Sequence, residues 1–441
     1  MNPTSFCSSA QFQLRLFIAI CIVGTCAAEA SAQGTDEPAQ KPTPPKIEKQ
    51  FMVFPESVVL EQWPHTLKLV NAPQDMKLLN PGQCIRVGVF ASGDDRDDYL
   101  ARTQLSFHVD FAGQAQDHPM APLAAFKQIK PEGGDLVTAA LGAADIKNPF
   151  LTMASMGASA ANWCVPADAQ EGKVTIDAEV DTPSGRQKLE RTRIQIESFD
   201  AAANRPIKDE QELNDFEMSY HWQPNPGRLF PYLQFYSADT QIQTQTGSLE
   251  TAATFLSYAL KGDPVAAKDF MARVSGQTGF AHAFGLLVLL DAGYDIEPVL
   301  KTLTEEGRQR FSKHPVLPDP FDLTHVEDIG TRLDMLWSEF MASGQFAPVQ
   351  KIASALTWHG DWEDLDKARK SANPPHEWTP AIGRAVGYGA AGWALGSFQR
   401  NDPLAADYIE QLISVPDTPD VEKAELKVLL TDPAFKMQGE K

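Results

Sequence analysis

The sequence predicts a mixed α+β chain, in which an antiparallel β-sandwich is followed by an all-α array of helical repeats. Apolar residues alternate with polar ones up to about residue 197, and they recur every three or four residues from about residue 200. A helix–turn–proline unit also recurs in that second half. Of the 441 residues, 43% are hydrophobic, so the chain can bury large cores and is not a disordered protein.

The N-terminal residues 1–32 have the pattern of a signal peptide. Arg15 precedes the apolar run 16–27, which is too short to span a bilayer, and the small residues Ala-Ser-Ala at 30–32 suit a signal peptidase. Residues 33–50 are rich in proline and polar residues, as in an extended linker. No later stretch reaches membrane-spanning length, so we expect a periplasmic or secreted protein with no membrane span in the mature chain.

Residues 51–199 are predicted to form the sandwich. Apolar and polar residues alternate in four segments, at 85–89, 105–111, 174–180 and 192–196. Thr182-Pro183-Ser184-Gly185 supplies a turn between the last two. Short strands joined by turns, without long helices between them, are typical of antiparallel sandwiches. The Ala- and Gly-rich stretch 121–162 shows no pattern that assigns it to an element.

Cys84 and Cys164 are the two cysteines that remain after residues 1–32 are removed. An even pair in an oxidising compartment indicates a disulfide, and two buried free thiols are the alternative. We expect Trp163 and Cys164 to pack across the two sheets from Cys84. This arrangement resembles immunoglobulin-like domains in architecture, although Asn162 occupies the position of the tyrosine in the immunoglobulin Tyr-x-Cys corner.

Residues 200–441 are predicted to form the helical-repeat domain. One stripe of apolar residues at steps of three and four consists of Ile329, Leu333, Leu336, Trp337, Phe340 and Met341. Asp263-Pro264 and Asp402-Pro403 place an N-cap residue directly before a proline in the first helical turn. Pro298 and Pro348 mark two further helix starts. Such units bury their apolar faces by stacking on their neighbours.

This array resembles HEAT and tetratricopeptide-like helical-repeat solenoids. The segment 333–344 also resembles helix–turn segments of exported bacterial proteins of unknown function. The resemblance implies helical hairpins that are stacked side by side and leave an extended surface free for a partner. It implies no particular chemistry.

The glycines at 387, 389 and 392 spell the dinucleotide motif G-x-G-x-x-G. That motif needs a preceding strand, whereas this copy follows a helix start at Thr379-Pro380. We therefore predict that these small residues let a neighbouring helix approach closely, and we predict no cofactor.

The acidic loop residues form a candidate calcium site: Asp94, Asp95, Asp97 and Asp98. Calcium takes several carboxylates from one short loop, which is the reason for this hypothesis. The alternative is a charged loop tip that stays in water.

The densest group of candidate ligand-binding residues lies around residue 360. Its members are Trp358, His359, Asp361, Trp362 and Glu363. Indole faces stack on sugar rings and cations, and carboxylates nearby bind hydroxyl groups. In the alternative interpretation, Trp337 and Trp393 belong to the core and Asp361 caps a helix that begins at Trp362.

The sequence therefore predicts an exported, non-enzymatic binding protein whose acidic helical-repeat surface engages a cell-envelope protein or glycan. The formal net charge is −20, which excludes a nucleic-acid partner and favours a basic or neutral one. Residues 200–441 carry 35 acidic and 21 basic side chains. One alternative is a hydrolase of envelope polysaccharide with Asp361 and Glu363 as its carboxylates, and a third is a structural spacer.

Overall fold

The computed structural model describes residues 48–55, 76–92, 104–122, 156–182, 185–238, 246–301, 308, 317–370 and 377–431. Strands occupy the N-terminal part of these residues, and helices follow from residue 199, so the predicted α+β class is confirmed. The described residues belong to one compact unit, Ile47–Lys441. The predicted signal peptide, most of the linker and the candidate calcium ligands Asp94, Asp95, Asp97 and Asp98 lie outside the described residues.

The described strands form two sheets. They are β1 (Glu48–Pro55), β2 (Leu78–Leu79), β3 (Cys84–Ser92), β4 (Gln104–Phe111), β5 (Gln114–Pro119), β6 (Ala121–Pro122), β7 (Met156–Cys164), β8 (Gly172–Thr182) and β9 (Gly185–Ile196). The first sheet has the order β1-β3-β7-β6, and the second has the order β2-β9-β8-β4-β5. Neighbouring strands are antiparallel except for the short parallel pair β2–β9.

Side chains from both sheets contribute to one hydrophobic cluster. In β4, Leu105, Phe107 and Val109 are buried and alternate with more exposed residues, as the sequence period of two predicts. Val87 of β3 and Ile176 of β8 belong to the same cluster, although they lie in different sheets. The alternation therefore identifies the buried face of each sheet.

Cys84 and Cys164 form the predicted disulfide, with their Cα atoms 3.9 Å apart. Its predicted position between two sheets is wrong, because the two cysteines lie directly opposite each other in β3 and β7 of the same sheet. Directly opposed residues of adjacent strands already have their Cβ atoms close together, so no link between sheets is needed. Trp163 does reach the other sheet, where its ring centroid lies 6.3 Å from that of Phe111.

The second part of the described chain is helical. Its helices are α1 (Phe199–Ala203), α2 (Glu210–Ser219), α3 (Leu229–Ala238), α4 (Thr246–Leu260), α5 (Pro264–Ser275), α6 (Gly279–Asp291), α7 (Glu297–Leu300), α8 (Ile329–Ser343), α9 (Phe346–Ser354), α10 (His359–Arg369), α11 (Pro380–Asn401), α12 (Pro403–Ser414) and α13 (Asp420–Thr431). Short 3-10 helices precede α3, α8 and α10. No helix in the described ranges combines the length and the apolar character that crossing a bilayer requires.

The two Asp-Pro motifs start helices as predicted. Asp263 accepts a hydrogen bond from the backbone N–H of Ala266 at the start of α5. Asp402 begins α12 in the same way. The other two proline starts are less regular, since the helix with Pro298 has four residues and the one with Pro348 begins at Phe346.

The order of the helices in space differs from their order in the chain. Helix α4 packs against both α6 and α8, α8 packs against α11, and α11 packs against α10. In a regular repeat array each unit contacts the next unit of the chain. Here α4 packs far more extensively against α8, four helices later in the chain, than against α5, the next helix.

The turn between β2 and β3 joins the sheets to the helices. Asn80 donates to the carbonyl of Glu197 at 2.8 Å and accepts from the N–H of Gly227 at 3.1 Å. Gly82 has a φ of +83°, and a Cβ on it would lie 2.8 Å from Cγ2 of Val265 in α5. This turn therefore needs glycine both for its backbone conformation and for its contact with the helices.

A buried carboxylate in α8 predicts a pH-dependent stability. Glu339 is 3% exposed, and burial raises its pKa from 4.5 to about 7 against the opposing effects of Tyr258 and Lys261. Between about pH 4.5 and pH 7 the folded chain therefore keeps the proton of Glu339, whereas the unfolded chain releases it. The stability that this proton contributes is fully present below about pH 4.5 and is lost as the pH rises through about 7. We expect Glu339→Gln to raise the free energy of unfolding by about 2 kcal/mol at pH 8.

Urea denaturation of the wild type and Glu339→Gln at pH 8 and pH 5 measures this difference. The gain should shrink at pH 5, because most of the wild-type side chain is then already neutral. Glu363→Gln is the matched control, since the pKa of the exposed Glu363 is lowered by His359 and Lys367 and its neutralisation should give no gain at pH 8. An equal gain for Glu339→Gln at both pH values would contradict this account.

Candidate ligand-binding face

The candidate residues lie in α10 and directly before it. Trp358 ends the 3-10 helix Ala355–Trp358, and the other four candidates belong to the first turns of α10. None of the residues of α10 is buried, and charged residues dominate its second half. Helix α10 therefore depends on its contacts with α11 rather than on a core position.

Two glycines of α11 contact the indole rings of Trp358 and Trp362. A Cβ on Gly387 would lie 2.7 Å from Cζ3 of Trp358, and one on Gly389 would lie 3.1 Å from Cζ3 of Trp362. The predicted role of the small residues in close approach is confirmed for these two positions. They lie inside the 22-residue helix α11, so the strand–turn–helix geometry that binds a dinucleotide is missing at this motif.

His359 connects three helices. Its Nδ1 lies 2.7 Å from Oε1 of Glu425 in α13, and its Nε2 lies 3.2 Å from Oε1 of Glu363. The hydroxyl of Tyr388 in α11 donates to the second oxygen of Glu425 at 2.6 Å. Burial, followed by the hydrogen bond to Glu425, raises the pKa of Tyr388, so this phenol remains a donor at neutral pH. The cluster fixes α10 against α11 and α13.

Asp361 is held by an arginine of α11. Arg384 donates to both carboxylate oxygens of Asp361, at 2.7 and 3.1 Å. The alternative in which Asp361 caps a helix beginning at Trp362 is wrong, because α10 begins at His359 and Asp361 lies in its first turn. A bidentate partner across the helix pair holds Asp361 instead.

The tryptophans divide into core and surface residues. Trp337 is 4% exposed and stacks on Phe398 with ring centroids 3.8 Å apart, so its predicted core position is confirmed. Trp393 is 44% exposed, so the same prediction is wrong for Trp393. Trp362 is 36% exposed and lies against Gly389, one helical turn from Trp393. We call the surface formed by Trp362, Tyr388 and Trp393 the tryptophan face.

Helices α10 and α11 together carry four acidic and four basic side chains, and the carboxylates beside the tryptophan face are paired. Hydrogen bonds from His359 and Lys367 lower the pKa of Glu363, so its carboxylate is ionised at neutral pH. Both oxygens of Asp361 already bind Arg384. In the part of the chain that the structure describes, no group of three or more His, Cys, Asp or Glu side chains is arranged to hold a metal ion.

The structure adds three residues that sequence reasoning missed. Arg384, Tyr388 and Glu425 contact the candidate residues from α11 and α13. The only local signal was Tyr388, which lies between two glycines of the dinucleotide-like motif. Arg384 and Glu425 are distant in sequence, and no spacing pattern links them to α10.

The chain was also compared with known proteins. No protein-family model matches it, and no curated protein matches it. The function of the tryptophan face is therefore inferred from its own residues.

Proposed function

We propose that this chain is an exported, non-enzymatic binding protein that engages a cell-envelope ligand through the tryptophan face. The carrying observation is that Trp362 of α10 and Trp393 of α11 are 36% and 44% exposed, and that Trp362 lies against Gly389, which is one helical turn before Trp393 in α11. Indole faces stack on sugar rings and cations, and the ionised carboxylate of Glu363, next to Trp362 in the chain, can accept a hydrogen bond from a hydroxyl group. This combination favours an envelope glycan over an envelope protein as the ligand.

A finer view of the fold accompanies this proposal. The two sheets would pack face to face as a sandwich, which is supported by the single hydrophobic cluster that draws on both of them. The helices would form a stack in the order α6, α4, α8, α11 and α10, in which only α10 and α11 are consecutive in the chain. The tryptophan face would then lie at the end of the stack that α10 and α11 form.

Export is supported by the cysteine chemistry. The Cys84–Cys164 disulfide would persist in an oxidising compartment such as a periplasm or the extracellular space. The signal-peptide pattern of residues 1–32 predicts the same localisation outside the cytoplasm.

The carboxylate geometry supports binding rather than hydrolysis. A glycosidase needs one carboxylic acid whose raised pKa keeps a proton for the leaving group. Glu363 has a lowered pKa, and Asp361 binds Arg384 through both oxygens. Neither carboxylate proposed for the hydrolase alternative is therefore set up as a proton donor.

Removing both indoles tests the proposed face. We expect Trp362→Ala with Trp393→Ala to weaken co-sedimentation with an insoluble envelope glycan fraction by about tenfold or more, because stacking area is lost while the buried core is retained. The free energy of unfolding should fall by about 1–2 kcal/mol, because Trp362 also packs against Gly389 and Tyr388, so urea denaturation is used to verify that the double variant is folded under the binding conditions. The measurement is the bound fraction over a range of glycan amounts.

Trp378→Ala is the matched control. Trp378 is 42% exposed and precedes α11, about 20 Å along the helix axis from Trp393, so its loss should leave binding unchanged. If Trp378→Ala lost as much binding as the double variant, the indoles would be acting as nonspecific apolar surface and the proposed face would be wrong. Wild-type binding that is absent under all conditions would also overturn the proposal.

A further inference from the structure

The Cys84–Cys164 disulfide lies on the outer face of the first sheet. Ile85 and Val87 of β3 and Trp163 of β7 belong to the hydrophobic cluster that both sheets share. Successive side chains of a strand point to opposite faces, so Cys84 and Cys164 point away from that cluster. The bond is therefore not part of the core.

The two cysteines differ in exposure. Cys164 is exposed, whereas Cys84 is half-buried. On the side of Cys84, β1 pairs with β3, and Phe54 of β1 belongs to the buried cluster of the helices, with its ring centroid 6.4 Å from that of Trp222. The side chain of Gln83 also donates to a carbonyl of the segment before α3, at 3.1 Å. The helical part of the chain therefore restricts the approach to Cys84.

The approach to Cys164 comes from the other side of β7. The first sheet ends there in β6, whose two residues pair with Ala160 and Ser159. Among the residues that the structure describes, no strand pairs with β7 beside Cys164 on that side. A thiolate that attacks a disulfide approaches in line with the S–S bond, so attack on Cys164 uses this side and attack on Cys84 needs the covered one.

A positive charge lies on the same face of the sheet as the disulfide. Arg86 comes two residues after Cys84 in β3, and its Nε donates at 3.0 Å to Oδ1 of Asn162, the residue opposite it in β7. A nearby guanidinium attracts an attacking thiolate and stabilises the thiolate that leaves. The surroundings of the bond therefore favour thiol–disulfide exchange.

We propose that Cys164 is a site of thiol–disulfide exchange in the folded chain, at which an external dithiol reduces the bond. The attacking thiolate forms a new S–S bond with Sγ of Cys164, and the electron pair of the broken bond leaves on Sγ of Cys84, which takes a proton from water. The second thiol of the same molecule then displaces Sγ of Cys164, so that two electrons pass to the protein and the dithiol is oxidised to a disulfide. This proposal is independent of the tryptophan face.

Two single variants test which sulfur is accessible. Cys84→Ser retains the thiol of Cys164 and Cys164→Ser retains that of Cys84, and each is the matched control of the other because both lose the same bond. The reduced variants are alkylated with iodoacetamide, peptide mass spectrometry follows the retained thiol, and the rate in unfolding urea is the reference for each. We expect Cys164 to react at least about tenfold faster than Cys84 relative to these references. Equal relative rates would overturn the proposal.

Reduction of the wild type by dithiothreitol tests the exchange without any substitution. The rate should rise in proportion to the dithiothreitol concentration and stay nearly constant as urea is added up to the start of unfolding, because attack occurs on the folded chain. A rate that rises steeply from the lowest urea concentrations would show that the bond opens only after unfolding, and it would overturn the proposal. With glutathione as the only thiol, peptide mass spectrometry should find the mixed disulfide on Cys164, and a mixed disulfide mainly on Cys84 would contradict the assignment.

Discussion

Asp402→Ala should lower the free energy of unfolding by about 4 kcal/mol, the largest effect that we expect from one substitution. Asp402 is 3% exposed, and its Oδ1 accepts hydrogen bonds from the N–H groups of Leu404 and Ala405, both at 2.9 Å. Its Oδ2 accepts from Trp222 Nε1 at 3.1 Å and lies 2.8 Å from Nε2 of the buried His221. Alanine would remove the cap of α12 and leave these buried groups without their acceptor.

Asp263→Ala is the matched control, because Asp263 precedes a proline at the start of α5 and accepts one N–H bond from Ala266. We expect a loss of about 1 kcal/mol there, the usual value of an N-cap. Urea denaturation at pH 7 measures both variants. Equal losses would show that the contacts of Asp402 with His221 and Trp222 contribute nothing to stability.

The pH dependence gives a second readout for Asp402. Burial opposes ionisation, but the charge and hydrogen bond of His221 leave the pKa of Asp402 below its ordinary value of 3.8. A lowered pKa contributes stability above the unfolded pKa, and this contribution is lost as the pH falls through the folded value. The difference between wild type and Asp402→Ala should therefore narrow on acidification below about pH 4.

Loss of the Cys84–Cys164 disulfide should lower the free energy of unfolding by about 4 kcal/mol. The bond closes a loop with a sequence separation of 80, and opening it restores that loop entropy to the unfolded chain. The double variant Cys84→Ser with Cys164→Ser should retain the pairing of β3 with β7, since the strands are held along their whole length by main-chain hydrogen bonds. The measurement is denaturation of wild type and variant with and without dithiothreitol.

Reduction should destabilise the wild type to the level of the double variant and leave the double variant unchanged. This pattern separates the loss of the bond from any effect of the serine side chains. A wild type whose stability did not respond to complete reduction would contradict the loop-entropy account.

The strands were predictable because one face of each is buried. In β4 the buried residue Phe107 stands in an alternation of buried and more exposed residues that the sequence reveals directly. In β8 the apolar residues alternate in the same way, but Asp177 and Glu179 on the other face are buried as well. Which strands are neighbours was not predictable, because pairing depends on contacts between distant segments. For this reason the pairing of Cys84 with Cys164 was correct and its position between sheets was wrong.

The helix starts were predictable for a similar local reason. Asp263 and Asp402 accept hydrogen bonds from N–H groups two or three residues away, so the sequence next to each residue is enough to predict its role as an N-cap. The neighbour order of the helices depends on which apolar faces fit together over long distances in the chain. The packing of α4 against α6 and α8 therefore could not be predicted from the spacing of the prolines.

In the candidate site, too, local features were predictable from the sequence, and contacts between distant helices were not. Of the two candidate tryptophans around residue 360, Trp362 is 36% exposed, whereas Trp358 packs against Gly387 of α11. The cap assigned to Asp361 was wrong because Arg384, which binds it, belongs to another helix. Glu425 was missed because its contact with His359 joins helices that are separated by the whole of α11 and α12.

The most direct test of a non-enzymatic envelope-binding role is affinity capture of soluble envelope glycan fragments on the immobilised chain, followed by mass spectrometry of the bound and unbound fractions. We predict that fragments are retained with their masses unchanged and that Trp362→Ala with Trp393→Ala releases them. Fragments shortened by the wild type, or a wild type that retains none, would contradict the account.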